Sequence, residues 1–95
     1  MTYKLKFLPI AKKEWDKLAE PTKKQFKSKL AERLKNPHVP SAKLKGYDAV
    51  DKIKLRTAGY RLAYEVLDNE VVVYLLAVGK RDKNAIYKKL SARAV

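Results

Sequence analysis

The stretch V-D-K-I-K-L-R-T-A-G-Y-R-L-A-Y-E-V-L-D-N-E-V-V-V-Y-L-L-A-V-G-K-R, residues 50–81, holds three consecutive strand patterns and ends in a basic dipeptide. Ile53 and Leu55 alternate with Lys52, Lys54 and Arg56, the two-residue period of a strand whose faces meet different surroundings. Thr57-Ala58-Gly59 interrupts that pattern. Asp68-Asn69 then forms a polar turn pair between Val66-Leu67 and Val71-Val72-Val73, as a second hairpin requires. The expectation is an antiparallel meander.

Pairing the strands decides which side chains share a face. Whether the first loop is Thr57-Ala58 or runs from Arg56 to Gly59, Lys54 falls opposite Arg61. A second turn of Asp68-Asn69, or of Leu67 to Glu70, sets Arg61 opposite Leu76 and Ala63 opposite Tyr74; an odd-length loop shifts this by one. In this register one face carries Ile53, Leu55, Tyr60, Leu62, Tyr64, Val66, Val71, Val73, Leu75 and Ala77. That face is apolar and needs helices over it. The other carries Lys52, Lys54, Arg61, Glu65, Val72, Tyr74 and Leu76, with its three cations near one end. Like charges opposite one another destabilise a sheet, so an anionic partner is expected there, against the plainer alternative of a solvated face.

The 95 residues are enough for one core, and the expectation is a single domain over 1–95. Lys plus Arg number 23 against 10 Asp plus Glu, a net charge of +13, which points to a polyanionic partner, nucleic acid above all. With no cysteine, disulfides and thiolate metal sites are excluded. No apolar run reaches the length of a spanning helix, and M-T-Y-K-L-K-F lacks the uninterrupted apolar stretch of a signal peptide. A soluble, cytoplasmic protein with no membrane partner is expected.

Towards the N-terminus, Tyr3, Leu5 and Phe7 alternate with lysines as a first strand. Ala11, Trp15 and Leu18 then fall on one helical face, with Pro9 near the helix start. Glu20-Pro21-Thr22 reads as a tight connection to a second helix with the stripe Phe26, Leu30, Leu34, stopped by Asn36-Pro37. Two helices so joined form an antiparallel hairpin for the apolar sheet face. Residues 36–50 read as a loop with a basic patch at Lys43-Leu44-Lys45-Gly46, long enough to suggest a function. His38 lies there as a solvated loop histidine. After Arg81, Asp82 can cap a last helix with Ile86, Leu90 and Ala94 inward and Tyr87 beside that stripe. The fold class is α+β, in the order β-α-α-β-β-β-α, with an antiparallel-rich sheet, a helical hairpin on one face and a basic concave face opposite. The position of the first strand in the sheet stays open.

The run D-K-I-K-L-R-T-A-G-Y-R-L-A-Y-E-V, then V-G-K-R-D and Tyr87, closely resembles the RelE toxins of bacterial toxin-antitoxin modules. L-A-E-P-T-K-K-Q-F-K-S-K-L and K-L-K-G extend the resemblance over nearly the whole chain. The motifs are short and basic; their order, spacing and coverage carry the match. It implies a ribosome-dependent endoribonuclease that cuts mRNA in the A site of the 70S ribosome, beside 16S rRNA. It implies neutralisation by a RelB-like antitoxin, through which the complex can bind operator DNA. The family's catalytic positions match Lys52, Lys54, Arg61, Arg81 and Tyr87; Lys43, Lys45 and Arg56 fit a role in holding RNA. No cofactor and no metal are implied.

The chemistry agrees. RNA cleavage without a metal uses the ribose 2'-OH as nucleophile and needs a base, cations for the phosphorane and an acid for the 5'-oxygen. Histidine pairs usually do this, but this chain has one histidine, and its carboxylates show no clustered metal-ligand spacing. Tyr87 is then the candidate base, its pKa lowered by cations, and Arg81 or a lysine the acid. Two other classes compete. A ParE-like gyrase inhibitor shares the fold but needs no Arg81, Tyr87 or Lys52/Lys54/Arg61 set, and a structural RNA-binding protein needs only the charge.

Overall fold

The computed structural model describes residues 2–39, 50–56, 58–80 and 88–90. In chain order it contains β1 (Lys4–Phe7), α1 (Pro9–Asp16), α2 (Glu20–Lys35), β2 (Val50–Leu55), β3 (Tyr60–Leu67), a 3-10 turn (Asp68–Glu70) and β4 (Val72–Lys80). Residues 88–90 are helical. The sheet order is β1-β4-β3-β2: β2, β3 and β4 form the expected antiparallel meander, and β1 joins its far side parallel to β4. None of the described helices is long and apolar enough to cross a membrane.

Both helices cover one face of the sheet. Ala11, Trp15 and Leu18 from the first helical segment and Phe26 and Leu30 from α2 are buried against Ile53, Leu55, Leu62, Tyr64, Val66, Val73, Leu75 and Val78. Trp15 touches Phe7 edge-on, with ring centroids 5.6 Å apart, and Phe26 at 6.1 Å, which joins the strand and both helices. One boundary differs from the sequence reading. Glu20-Pro21-Thr22 is the first turn of α2 rather than the connection before it. Proline is tolerated there because the first N–H groups of a helix have no partner inside it.

Leu55 and Tyr60 form the last pair of the first hairpin, with Gly59 at φ +70 and its N–H bonded to the Leu55 carbonyl at 2.8 Å. Lys54 lies opposite Arg61, as the alternation requires. The second hairpin departs from expectation. The 3-10 turn and a left-handed Val71 (φ 56) lengthen the connection to 68–71, so Leu67 pairs with Val72. A β-bulge follows: Tyr64 pairs with Leu75 but Ala63 with Ala77, which leaves Leu76 as an extra residue. Arg61 therefore faces Gly79 rather than Leu76, and Ala63 faces Ala77 rather than Tyr74. An extra residue exchanges faces beyond it. Val78, not Ala77, joins the helix-covered core, and Ala77 joins Val50, Ala63, Leu76 and Leu90 in a second cluster. The second face is thus apolar in its middle and capped there by Leu90, 1 % exposed. Asp82, Ile86 and Ala94 lie outside the described residues.

Candidate active site

β2 is an edge strand, and its alternation sends Ile53 and Leu55 into the main core while Lys52 and Lys54 stand on the other face. β3 does the same with Leu62 and Arg61. Burial of the aliphatic residues fixes the register, so the cations cannot slip apart. One row across this face is Lys54, Arg61 and Gly79; the next is Lys52, Ala63 and Ala77. Lys54 is exposed, Lys52 and Arg61 half-buried, and Arg56 exposed at the start of the loop.

This arrangement is electrostatically uphill. Repulsion from Lys52 first, and then from Arg61, holds the Lys54 ammonium below the usual lysine range, with Arg56 adding to it. The ion pairs among the described residues join Lys12 to Asp16, Lys23 to Glu20, His38 to Asp68 and Lys89 to Glu14, so none of them neutralises Lys52, Lys54 or Arg61. The Arg61 Nε–H is buried and has no partner among the described residues. An unmet buried donor is costly. A phosphate oxygen would satisfy it with a charge-assisted bond and relieve the repulsion around it.

Gly79 lies close to the end of the Lys89 side chain. A Cβ there would stand 2.9 Å from Lys89 Nζ, which donates to the Val78 carbonyl at 2.9 Å and pairs with Glu14. Glu14 also accepts the Val78 N–H at 3.3 Å, so helix side chains satisfy β4 where β1 has ended. Of the residues expected to act, Lys52, Lys54 and Arg61 are brought together and Arg56 adjoins them; Arg81, Tyr87, Lys43 and Lys45 lie outside the described residues. Among the described residues no three His, Cys, Asp or Glu are grouped as metal ligands would be.

A polar network behind β2 escaped the sequence reading. Arg33 Nη1 donates to the Tyr64 hydroxyl at 2.8 Å and to the Lys52 carbonyl at 3.3 Å. Tyr64 donates to the Pro37 carbonyl at 2.8 Å, and Asp51, 2 % exposed, accepts the Val39 N–H at 3.1 Å. The signals were present. Arg33 stands seven residues after Phe26, on the inward stripe of α2; Asp51 occupies an inward position of β2; and a tyrosine on an apolar face needs a partner for its hydroxyl. His38 is exposed as expected, yet its Nε2 donates to Asp68 Oδ1 at 2.8 Å, beside the Tyr3 hydroxyl at 2.7 Å on the same oxygen.

Comparison with known proteins gives concordant results. The family model described as "ParE toxin of type II toxin-antitoxin system, parDE" matches residues 5–85. A putative RelE-like toxin protein of Escherichia coli is 45% identical over 93 residues, 98% of each chain. The mRNA interferase toxin RelE of E. coli strain K12 is 44% identical over the same share of both chains. A mutant of E. coli toxin RelE in the free state superposes with a TM-score of 0.91 at 42% identity, covering 100% of both chains. The toxin in the intact E. coli RelBE toxin-antitoxin complex gives 0.82 at 46% identity, covering 85% of this chain and 99% of that one.

Proposed function

Since the chain belongs to the ParE toxin family of type II toxin-antitoxin systems and is a RelE-type toxin within it, we propose that it is an endoribonuclease that cuts mRNA in the ribosomal A site and is neutralised by a RelB-like antitoxin. The observation that carries this reading is the row of Lys54 and Arg61 with Lys52 beside it, cations held together without a carboxylate among the described residues. Such a cluster suits a phosphorane, whose negative charge exceeds that of the ground-state phosphodiester. Arg61, with its free Nε–H, contributes to the phosphate oxygens.

The 2'-OH attacks the adjacent phosphorus and the 5'-oxygen leaves. A base takes the 2'-OH proton and an acid supplies one to the leaving oxygen. Tyr87 is the candidate base and Arg81 acts on charge that develops late. Repulsion from Lys52 and Arg61 also lets Lys54 give up a proton more readily than an ordinary lysine. Lys43, Lys45 and Arg56 hold RNA. No residue here is a strong acid-base catalyst at its ordinary pKa, and a ribosome that fixes the mRNA supplies the missing orientation.

The test is cleavage on programmed ribosomes. The expected products end in a 2',3'-cyclic or 3'-phosphate and a 5'-hydroxyl, and 5'-phosphate ends would rule out this mechanism. Arg81→Ala should still bind ribosomes and antitoxin while losing cleavage. Gyrase inhibition, the alternative suggested by the ParE description of the family, requires that supercoiling be blocked in a purified assay while mRNA stays intact.

A further inference from the structure

We propose that Arg33 is a positioning residue for the cleavage site, holding edge strand β2 from behind through the backbone of Lys52; this rests on the RNA-cleavage reading above. β2 has β3 on one side only. The Lys52 carbonyl accepts from Arg33 Nη1 at 3.3 Å, and the same nitrogen donates to the Tyr64 hydroxyl at 2.8 Å. The guanidinium also lies over the Tyr64 ring, 5.8 Å from its centroid. Tyr64 is fully buried on β3 and donates onward to Pro37, the second residue after α2. One arginine thus ties the last turn of α2, the chain that leaves it, β3 and the free side of β2 into a single unit.

The consequence falls on the opposite face. Lys52 and Lys54 flank Ile53, so a shift of the β2 backbone moves both cations relative to Arg61. Edge strands with unpaired groups yield most easily, and a displacement of about 1 Å can cost on the order of 10²-fold in rate. A lysine at position 33 keeps the charge and N–H donors on one nitrogen but loses the planar guanidinium that lies over the Tyr64 ring.

The experiment compares wild type, Arg33→Met and Arg33→Lys in single-turnover cleavage on programmed ribosomes, alongside thermal melting and an NMR titration of the Lys54 ammonium. Arg33→Met is expected to cut between about 10- and 100-fold more slowly at saturating ribosome. Its half-saturation should be unchanged, its Lys54 midpoint should move, and Arg33→Lys should recover part of the rate. A rate loss no larger than the loss of folded protein, or wild-type cutting by Arg33→Met, overturns the proposal. If wild type itself leaves mRNA intact, the cleavage reading fails. The positioning of Lys54 is then judged by its titration alone, and an unmoved midpoint in Arg33→Met overturns it.

Discussion

At one end of β3, Arg61 faces Lys54 across the sheet with Lys52 close by, and no carboxylate pairs with any of them among the described residues. At the other end, Asp68 is held by both Tyr3 and His38. The first end accumulates charge of one sign; the second resolves it locally. His38 first, and then Tyr3, keep the Asp68 carboxyl below its ordinary range, the mark of a stabilised charge, whereas Lys54 is shifted toward its neutral form. A fold optimised only for stability would treat both ends alike. On the function proposed above, the cationic end is the surface that receives an outside anion.

The largest effect that could break this contrast comes from Arg61→Met, which keeps most of the side-chain stem and removes the charge. Cleavage on ribosomes should fall on the order of 10²- to 10³-fold, while the melting temperature stays level or rises because repulsion is relieved. A folded variant that cuts normally would make the row an ordinary surface.

At the far end the strain lies in the backbone instead of the charges. Val71 is β-branched and left-handed, a conformation that costs a non-glycine residue roughly 1–2 kcal/mol. Part of that is offset by the greater unfolded-state freedom of glycine. Val71→Gly should raise unfolding stability by up to about 1 kcal/mol in chemical denaturation and leave cleavage unchanged.

Lys52→Ala gives a smaller, purely electrostatic readout. It removes the largest cause of the Lys54 shift, so the Lys54 ammonium should titrate higher in NMR, closer to an ordinary lysine. In the wild type the unfolded chain holds the Lys54 proton more tightly than the native one. Stability from this group therefore rises as pH climbs from the lowered native value toward the ordinary one; Lys52→Ala should flatten that rise. The smallest effect belongs to His38→Ala. Asp68 contributes stability above its unfolded pKa and loses it as pH falls through the lower native value. The variant should narrow that acid window in urea melts at low pH, and a window left as wide would remove His38 from the pairing.

Much of this was legible in the sequence. Alternation around Ile53 and Leu55 predicts the Lys54–Arg61 pairing because it depends only on a short loop and a period of two. The stripes Ala11–Trp15 and Phe26–Leu30 predict which helix faces are buried. The β3–β4 register was not legible: Asp68-Asn69 looks like a two-residue turn, and neither the left-handed Val71 nor the bulge at Leu76 leaves a mark, since residues 71–78 are all aliphatic or aromatic and suit either face. The parallel seat of β1 depends on long-range packing. Arg33 was overlooked because a charged residue on an inward stripe reads as a break in the pattern, when it marks a buried acceptor waiting behind the strand.

The pairing of β1 with β4 also sets a schedule. Lys4 lies beside Val72 and Phe7 beside Leu75, so the first of the four strands to be made has its partner in the last of them. Contacts between such distant parts of the chain form late. A nascent chain that has only reached Arg61 already carries Lys52 and Lys54 but has neither β4, whose Val73 and Leu75 fill the core, nor a place for β1. For a toxin proposed to attack the machine that makes it, the cations of β2 are therefore made before the strand that completes their sheet.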